Sequence, residues 1–226
     1  MEKIYDGLTV KELFAFPEHS IASPLLARFT YPWEALDFIA DFIREVGKTL
    51  SEDEYEIRDG DVYISRSAEV APTAYIGGPC IICEGAQIKH CAFIREKAIV
   101  GKGAVVGNSV ELKNCILFDG VQVPHFNYVG DSVLGYKSHM GAGAVTSNVK
   151  SDKTLVTVCY NGVKVESQRK KLGAILADNV EVGCNSVLNP GTVIGRGSNV
   201  YPLSSVRGYV PPDSIYKSKE AIVKKR

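Results

Sequence analysis

Two cationic residues near the middle of this 226-residue chain occupy equivalent positions of a repeating pattern. Arg95 directly follows the apolar Ile94, and Lys113 directly follows the apolar Leu112. Three repeats of six residues separate them. If three such repeats make one turn of a regular coil, the two cations stack on one face of adjacent turns. Neighbouring positive charges suit an anion such as a phosphate. The alternative is a pair of splayed, hydrated side chains.

A second candidate for chemistry is His125, within the segment PHFNY at residues 124–128. Histidine titrates near neutral pH, so it can remove a proton from an ammonium nucleophile. A glycine-rich stretch around Ala142 follows a short distance along the chain. A lone histidine is usually structural, so His125 taken by itself fits a catalytic and a structural role.

These residues lie in a region where large apolar residues recur every six positions. Large apolar side chains occupy every sixth position from Ile64 to Phe118, and the period resumes from Leu176 to Val200. This period fits neither an α-helix nor an alternating strand, but it fits a triangular coil whose three six-residue sides each point one large residue inward. One interior column should then hold every third member of the first series: Ile64, Ile82, Val100 and Phe118.

Single turns of such a coil cannot bury their apolar face and must stack on one another. We therefore predict an all-β chain, a left-handed parallel β-helix of the hexapeptide-repeat kind with a small helical N-terminal cap. The period does not determine the handedness, which follows from the resemblance to hexapeptide-repeat coils.

The coil is predicted to span residues 61–210, with other structure around it. Residues 1–60 lack the repeat, and apolar residues at helical spacing after Pro32 predict a helical cap over the first turn, with a shorter helix at 9–16. Residues 146–172 break the period, and Asn161-Gly162 between two β-prone runs predicts a hairpin there. Residues 211–226 are expected to form a basic tail.

Composition limits the functions that this chain can have. The 26 basic residues balance the 26 acidic ones, so nothing favours nucleic acid or a membrane as a partner. No signal segment is visible, and no apolar run reaches the roughly 20 residues of a membrane span, so we expect a cytoplasmic protein. The six cysteines are expected to be reduced packing residues, and the lone pair Cys80 and Cys83 is a weak metal signal.

The segment from His125 to Asp131, with Gly141-Ala142-Gly143 and Asn148 after it, resembles the acetyltransferase half of bifunctional sugar-1-phosphate nucleotidylyltransferase/acetyltransferases. Bacterial N-acetylglucosamine-1-phosphate uridyltransferase is one of these. Residues 168–174, QRKKLGA, resemble the archaeal-type enzymes more closely. The resemblance covers roughly residues 68–210. It implies an acetyl-CoA-dependent N-acetyltransferase of nucleotide-sugar biosynthesis, acting on an amino-sugar 1-phosphate as a homotrimer with its site between subunits.

The resemblance also implies roles for individual residues. His125 takes the place of the family's general base, and Glu111 that of an acidic residue near the reacting centre. Arg95 and Lys113 take the place of its phosphate-binding pair. The remaining correspondences are the substrate-side Tyr128, Asn148 and Lys153 and the coenzyme-side Ala142 and Cys184, the cysteine standing where the family has a serine.

The chain also departs from that family. Residues 1–60 are too short a segment for a nucleotidyltransferase domain, so we expect no nucleotidyltransferase activity. His139 and Val149 stand where the bacterial enzymes have an asparagine and a tyrosine, which leaves the identity of the sugar open. The cations of the tail are either solvated or in contact with the phosphates of coenzyme A; they are Lys217, Lys219, Lys224, Lys225 and Arg226.

Two other functions compete with this one. A non-catalytic or regulatory hexapeptide-repeat module would partner a separate sugar nucleotidyltransferase, but such a module is expected to lose His125 or the cationic pair, and the chain keeps both. A zinc enzyme needs several histidines at ligand spacing, which His90, His125 and His139 lack. We therefore expect an acyltransferase that requires no metal for acetyl transfer.

Overall fold

The structure, a computed structural model, describes residues 3–225 and consists mainly of short strands. Its α-helices lie in the N-terminal segment and are α1 (Val10–Leu13), α2 (Ser23–Leu26) and α3 (Ile39–Gly47). The same segment contains 3₁₀ helices at Asp6–Leu8, Pro17–His19 and Pro32–Asp37. No helix within residues 3–225 is both long and apolar enough to cross a membrane.

The strands follow from residue 55 onward. In chain order they are β1 (Tyr55–Arg58), β2 (Val62–Ser65), β3 (Glu69–Val70), β4 (Tyr75–Ile76), β5 (Cys80–Ile82), β6 (Gln87–Ile88), β7 (Phe93–Val100), β8 (Val105–Asn108), β9 (Glu111–Leu117), β10 (Gln122–His125), β11 (Tyr128–Leu134), β12 (His139–Met140), β13 (Val145–Thr146), β14 (Val156–Tyr160), β15 (Val163–Arg169), β16 (Ala174–Leu176), β17 (Glu181–Val182), β18 (Val187–Leu188), β19 (Thr192–Ile194), β20 (Asn199–Val200), β21 (Ser205–Val206), β22 (Tyr209–Val210), β23 (Ser214–Ser218) and β24 (Ala221–Lys224).

The strands stack into a coil with three parallel faces. Face 1 contains β3, β6, β8, β10, β12, β17, β20 and β23. Face 2 contains β4, the first halves of β7, β9 and β11, and then β13, β18 and β21. Face 3 contains β2, β5, the second halves of β7, β9 and β11, and then β16, β19 and β22. The predicted parallel β-helix of hexapeptide repeats is confirmed.

The predicted interior column is correct for its first three members and wrong for the fourth. Ile64 faces Ile82, and Ile82 faces Val100. Val100 then faces Leu117, not Phe118. Phe118 is still fully buried, but it follows the strand and stacks on the N-terminal segment.

The physical reason is one extra residue in β7. The pairing between β7 and β9 shifts register between Ile94 and Glu96. Ile94 pairs with Leu112, but beyond the shift each partner lies one position earlier, so Val100 pairs with Leu117. The ring of Phe118, displaced by that shift, lies 4.8 Å from the ring of Phe14, centroid to centroid. Such a bulge is not visible in a periodic pattern, because both register choices place an apolar residue near the core.

Face 3 is buried on both sides. Its strands carry apolar residues at consecutive positions, so one side chain points into the coil and its neighbour points out. α3 lies against β5, β7 and β9, the 3₁₀ helix Pro32–Asp37 lies against β11, and β14 lies against β19 and β22. The outward column that they cover is buried throughout; it consists of Tyr63, Ile81, Ile99, Ile116, Val133, Ile175 and Val193.

The N-terminal segment therefore runs along the side of the coil instead of resting over its first turn. The helix predicted after Pro32 is a 3₁₀ helix followed, beyond Phe38, by α3. Far along the coil, the buried side chain of Asp178 accepts hydrogen bonds from the backbone N–H groups of Ala15 at 2.7 Å and Phe16 at 3.3 Å. Burial raises the pKa of the Asp178 carboxyl, against these hydrogen bonds.

An antiparallel strand covers the edge of one face at each end of the stack. β1 pairs antiparallel with β2 at the start of face 3, and β24 pairs antiparallel with β23 at the end of face 1. Unpaired edge strands are sites of aggregation, and these two strands protect the edges of faces 3 and 1. Residues 211–225 are thus ordered structure and not a free tail, while Arg226 lies outside the described residues.

The predicted hairpin is present as β14 and β15, which pair antiparallel. Its turn residues Asn161 and Gly162 both have positive φ, 47° and 82°. A two-residue hairpin turn with positive φ at both positions favours this Asn-Gly pair.

The cysteines divide into two groups. Cys80, Cys83 and Cys115 are buried, as expected of packing residues, and burial raises the pKa of the Cys83 and Cys115 thiols to about 12. The other three, Cys91, Cys159 and Cys184, are exposed, so the packing prediction is wrong for them. Within residues 3–225 no three His, Cys, Asp or Glu side chains are grouped so that they could hold a metal ion.

Replacing a residue of the covered column tests the double-sided packing of face 3. Ile116→Ala should lower the free energy of unfolding by about 2–5 kcal/mol, because it leaves a cavity between the coil and the N-terminal segment. Urea denaturation measures this. Val187→Ala, on a face 2 side chain that is 38% exposed, is the control and should change stability by only about 0.5 kcal/mol. Equal losses would contradict the covering role of the segment.

Candidate active site

Most of the predicted site residues lie on face 2 or at its two edges. One edge is the corner between faces 1 and 2, which contains His125 and Ala142. The other is the corner between faces 2 and 3, which contains Arg95 and Lys113. We call these the 1/2 corner and the 2/3 corner.

Left-handed backbone conformations form the 2/3 corner. Lys97, Asn114 and Asp131 occupy it on three successive turns, with φ of 54°, 51° and 49°. Asparagine and aspartate tolerate this conformation because their short polar side chains can bond locally. The corner therefore places two buried polar side chains next to the predicted cation Lys113.

Asp131 is the centre of a buried polar network. Its carboxylate accepts hydrogen bonds from Asn114 Nδ2 at 2.8 Å and from Asn148 Nδ2 at 2.6 Å, and Lys113 Nζ lies 3.4 Å from both of its oxygens. Only 2% of Asp131 is exposed. A buried carboxylate requires such partners. Asn148 and Lys113, two predicted substrate residues, are therefore held in place by a third residue.

Tyr128 belongs to the same network. Asn148 Nδ2 donates to the Tyr128 hydroxyl oxygen at 3.1 Å. Burial raises the pKa of the Tyr128 phenol, and the negative charge of Asp131 raises it further. The phenol is accordingly neutral at physiological pH and can donate its own hydrogen bond to a ligand.

Arg95 does not stack on Lys113 as predicted. Arg95 is the extra residue of the β7 bulge, and the residue that faces Lys113 is Glu96. Arg95 Nη1 instead binds Glu111 Oε1 at 2.9 Å, with both side chains partly exposed. Each of the two cations thus has its own carboxylate, which removes the mutual repulsion that the sequence implied.

At the 1/2 corner, hydrogen bonds join two successive turns. The buried Asn127 side chain donates to the carbonyl oxygens of Gly141 at 2.8 Å and Ala144 at 3.0 Å. Gly143 N–H donates to the carbonyl oxygen of His125 at 3.0 Å. The imidazole of His125 is exposed. His125 and the glycine-rich stretch that sequence analysis singled out therefore lie on adjacent turns.

Ala142 lies between two glycines whose N–H groups are both used. Gly141 N–H donates to Val182 and Gly143 N–H donates to His125, whereas the N–H of Ala142 has no acceptor anywhere in residues 3–225. The exposed Cys184 lies on the following turn, close to Gly141. A Cβ atom added to Gly141 would lie only 3.0 Å from the Cys184 Sγ. A free N–H beside an exposed imidazole can donate to a developing oxyanion.

Two residues stand apart from these clusters. Lys153, predicted to contact substrate, is exposed in the excursion, where its N–H donates to Lys150 O at 3.0 Å. His139 lies on face 1, and its Nδ1 is 2.8 Å from Glu181 Oε2. In the described part of the chain neither of them contacts the Asp131 network.

The cations of the predicted tail lie at different corners of the coil. Lys217 Nζ lies 5.7 Å from the centre of the Tyr201 ring, on the turns that stack beyond Cys184 at the 1/2 corner. Lys225 Nζ instead bonds the carbonyl oxygen of Gly197 at the corner between faces 3 and 1. Only the first of these two cations is near the predicted coenzyme side.

Sequence reasoning missed Asn114 and gave Asp131 no role. The signal was present for Asp131, because it closes the segment from His125 to Asp131, of the pattern HxxYxGD, that carries the family resemblance. Asn114 had only its place next to Lys113. Its importance depends on the left-handed corner, which no period of six reveals.

Comparison with known proteins identifies relatives of the chain. Residues 76–194, just over half of it, match the family model described as the GMPPB C-terminal domain. The bifunctional protein GlmU of Methanococcus vannielii is 35% identical over 199 residues, which are 86% of this chain and 48% of that protein. The bifunctional sugar-1-phosphate nucleotidylyltransferase/acetyltransferase of Sulfurisphaera tokodaii is 34% identical over 192 residues, 82% of this chain and 47% of that protein.

The chain spans about half the length of the curated relatives it matches. Among solved structures, the acetyltransferase domain of PglB from Neisseria gonorrhoeae in complex with acetyl coenzyme A is 15% identical, with a TM-score of 0.32. That likeness covers 72% of this chain and 57% of the other. The curated relatives confirm the resemblance read from the HxxYxGD segment.

The Asp131 network makes the titration of Tyr128 testable. Asp131→Asn should lower the pKa of Tyr128 towards its ordinary value, because removing a nearby negative charge makes the phenolate less unfavourable. NMR of tyrosine-labelled protein follows this pKa, and Tyr128→Phe assigns the signal. Asp152→Asn, which alters an exposed carboxylate in the excursion, should leave the pKa of Tyr128 unchanged. An unaltered pKa in Asp131→Asn would remove Asp131 from the electrostatics of the site.

Proposed function

This chain belongs to the GMPPB C-terminal domain family, and from that premise we propose that it is an acetyl-CoA-dependent N-acetyltransferase acting on an amino-sugar 1-phosphate such as glucosamine 1-phosphate. The relative from Sulfurisphaera tokodaii is named as a bifunctional sugar-1-phosphate nucleotidylyltransferase/acetyltransferase, and this chain matches about half of its length. The expected lack of nucleotidyltransferase activity stays a prediction.

One observation carries the proposal. An exposed imidazole, that of His125, and an N–H without an acceptor in residues 3–225, that of Ala142, lie on turns joined by the Gly143 to His125 hydrogen bond of 3.0 Å. Acyl transfer to an amine needs a base for the amine proton and a donor for the carbonyl oxygen that becomes negative. Two adjacent turns of the 1/2 corner supply both.

The reaction can be written with these residues. The sugar amine attacks the carbonyl carbon of the acetyl thioester, and a C–N bond forms while His125 takes the amine proton. The N–H of Ala142 donates to the oxygen that gains the negative charge. The C–S bond then breaks, and His125 returns the proton to the departing thiolate, which gives the N-acetyl sugar and coenzyme A.

The acceptor would lie across face 2. Arg95 and Lys113 would bind its phosphate at the 2/3 corner, exchanging part of their contact with Glu111 and Asp131 for the new anion. Tyr128 and Asn148 would hydrogen-bond the sugar, whose amine would reach the His125 of a neighbouring chain. We propose that Glu111 positions Arg95, which it contacts at 2.9 Å, and that Lys153 closes on the acceptor from the excursion.

The coenzyme would follow the 1/2 corner in the opposite direction. From Ala142 the corner continues to Cys184, whose carbonyl accepts the Leu203 N–H at 2.9 Å, and then to the turn of Lys217. We propose that Cys184 lines this path and that Lys217 binds a phosphate of coenzyme A. Lys225, on another corner, takes no part.

We propose a homotrimer with the site between subunits. His125 and the cations lie at opposite edges of face 2, and a neighbouring chain that supplies one of them would close that distance. Face 3 is already covered, so faces 1 and 2 are available for the contact. Light scattering should give three times the monomer mass, and a monomer at working concentration would contradict this arrangement.

A panel assay tests the reaction itself. Thiol release from acetyl-CoA should depend on an amino-sugar 1-phosphate as acceptor. His125→Ala should reduce this rate by about 10²–10⁴-fold at neutral pH, because a general base contributes that much. The exposed imidazole packs little, so the melting temperature should not change.

The matched control is His90→Ala, which removes another exposed histidine of the 1/2 corner. It should leave the rate near that of the natural chain. Turnover that survives His125→Ala with an unchanged melting temperature would show that His125 is not the base and would favour a non-catalytic module.

Arg95→Ala should raise the KM for the sugar phosphate about 10- to 100-fold with little change in kcat, because it removes a charged contact to the phosphate. Arg58→Ala is the control, since Arg58 forms a similar pair with Glu56 at 2.7 Å on β1, far from face 2. A KM that Arg95→Ala leaves unchanged would remove the phosphate role.

A further inference from the structure

A groove separates two of the elements that cover face 3. One wall is the strand β15, from Lys164 to Arg169, and the other is the N-terminal segment, with Phe29, Tyr31 and Phe38. The groove has a volume of about 850 Å³, which is within the range of ligand-binding clefts in proteins. It lies on the covered side of the coil, so neither the proposed acetyl transfer nor the proposed subunit contact on faces 1 and 2 uses it.

An ion pair connects the two walls of the groove. Arg169 Nη1 lies 2.5 Å from Asp37 Oδ2, and only 11% of the Arg169 side chain is exposed. Arg169 Nε also donates to the carbonyl oxygen of Lys171 at 3.2 Å. On the other wall, the ring of Tyr31 stacks on the buried ring of Trp33, with centroids 4.6 Å apart. Both walls are therefore held in place by their own contacts, and the groove is formed before any partner arrives.

The strand wall of the groove has an unpaired edge. In the described chain β15 pairs with β14 alone. Tyr160 and Val163 flank the two-residue turn and form a hydrogen-bonded pair. Bonded and non-bonded pairs alternate in an antiparallel ladder, so Lys164 and Glu166 turn their N–H and C=O groups to the other edge. No backbone group of the described chain bonds them there.

This edge differs from the edges at the ends of the coil. Unpaired strand edges are usually protected, as β1 and β24 protect the edges of faces 3 and 1. The edge of β15 instead faces aromatic side chains, since Phe38 is 48% exposed and its ring lies 5.2 Å from the ring of Phe29. Strand addition combines these two features, because backbone hydrogen bonds give affinity and contacts to alternate side chains give selectivity.

We propose that the groove binds an extended segment of another protein, which adds to the edge of β15 as an antiparallel strand. Antiparallel pairing is the more stable of the two directions. Side chains alternate between the two sides of a strand, and on β15 Val165 is buried whereas Lys164 and Glu166 are exposed. The segment should therefore have apolar residues facing Phe29 and Phe38. Between them it should have a basic residue opposite Glu166 and an acidic residue opposite Lys164.

Two synthetic peptides of identical composition test this charge pattern. The matching peptide has valine-lysine-valine-glutamate-valine between serine-glycine ends, and in the exchanged peptide the lysine and the glutamate trade places. Fluorescence anisotropy should show that the natural chain binds the matching peptide about 5-fold more tightly, because both cross-strand pairs then have opposite charges. The double variant Lys164→Glu, Glu166→Lys alters two exposed side chains and should prefer the exchanged peptide.

Hydrogen exchange locates the bound strand. The matching peptide should slow exchange of the N–H groups of Lys164 and Glu166 at least about 10-fold. The N–H of Val165, which points to β14, is the internal reference and should not change. A matching peptide that is N-methylated at its lysine and glutamate lacks the N–H groups that would bond β15, and it should bind at least about 10-fold more weakly.

One variant tests the aromatic wall. Phe38→Ala should weaken binding of the matching peptide about 10-fold, because it removes apolar contact area. Ile57→Ala is the control, since Ile57 is 46% exposed on β1, outside the groove, and it should have no effect.

Three results would overturn the proposal. They are no binding of either peptide at millimolar concentration, equal binding of the N-methylated peptide, and a mass in light scattering that falls when the matching peptide is added. The last would assign the edge of β15 to a second copy of the chain. None of these measurements requires acetyl transfer, so the proposed function and the strand-binding groove stand or fail separately.

Discussion

Each turn of the coil must hydrogen-bond the turns on both sides of it, because the backbone groups of a buried strand have no water to bind. A turn with one residue more or fewer must absorb the difference at a corner. Here β7 does so between Ile94 and Glu96, and the next turn is one residue shorter, as the pairing of Leu112 with Val129 shows. Bulges re-aim side chains and are frequent next to active sites. The inserted residue is Arg95, which has no partner on β9 in the strand register and binds Glu111.

Because face 3 is covered, a substrate has only the other faces of the coil available to it. The outward residues of face 3, such as Ile99 and Ile175, would form a long apolar surface if they were exposed. The N-terminal segment and the hairpin bury them, and this packing also fixes the excursion that carries Asn148 at its base. Faces 1 and 2 are left open. The polar network around Asp131 occurs on face 2 and at its 2/3 corner.

Charge in the proposed acceptor site is balanced before any ligand arrives. Lys113 contacts Asp131, and Arg95 contacts Glu111. An incoming phosphate must therefore exchange partners with two carboxylates and does not enter a field of unopposed positive charge. Asp131 also holds Asn148, so the same carboxylate that neutralises a cation keeps a substrate-side amide in position. This arrangement avoids the cost of an isolated buried charge.

Local and periodic features were determined by the sequence itself. The period of six predicts the parallel coil, Asn161-Gly162 predicts the hairpin turn, and the HxxYxGD segment predicts which turns carry His125 and Tyr128. Each depends on residues close together in the chain, or on a repeat too long to arise by chance. Apolar triplets such as Cys80–Ile82 also contained the signal that face 3 is buried on both sides.

Tertiary structure alone decided the remainder. Leu117, and not Phe118, lies in the interior column, and Arg95 contacts Glu111 and not Lys113. Residues 3–50 run along the side of the coil and not over its end. All three depend on which residues of distant turns pair with each other. When two adjacent residues are both apolar, only the hydrogen bonds of the neighbouring turns determine which one faces inward.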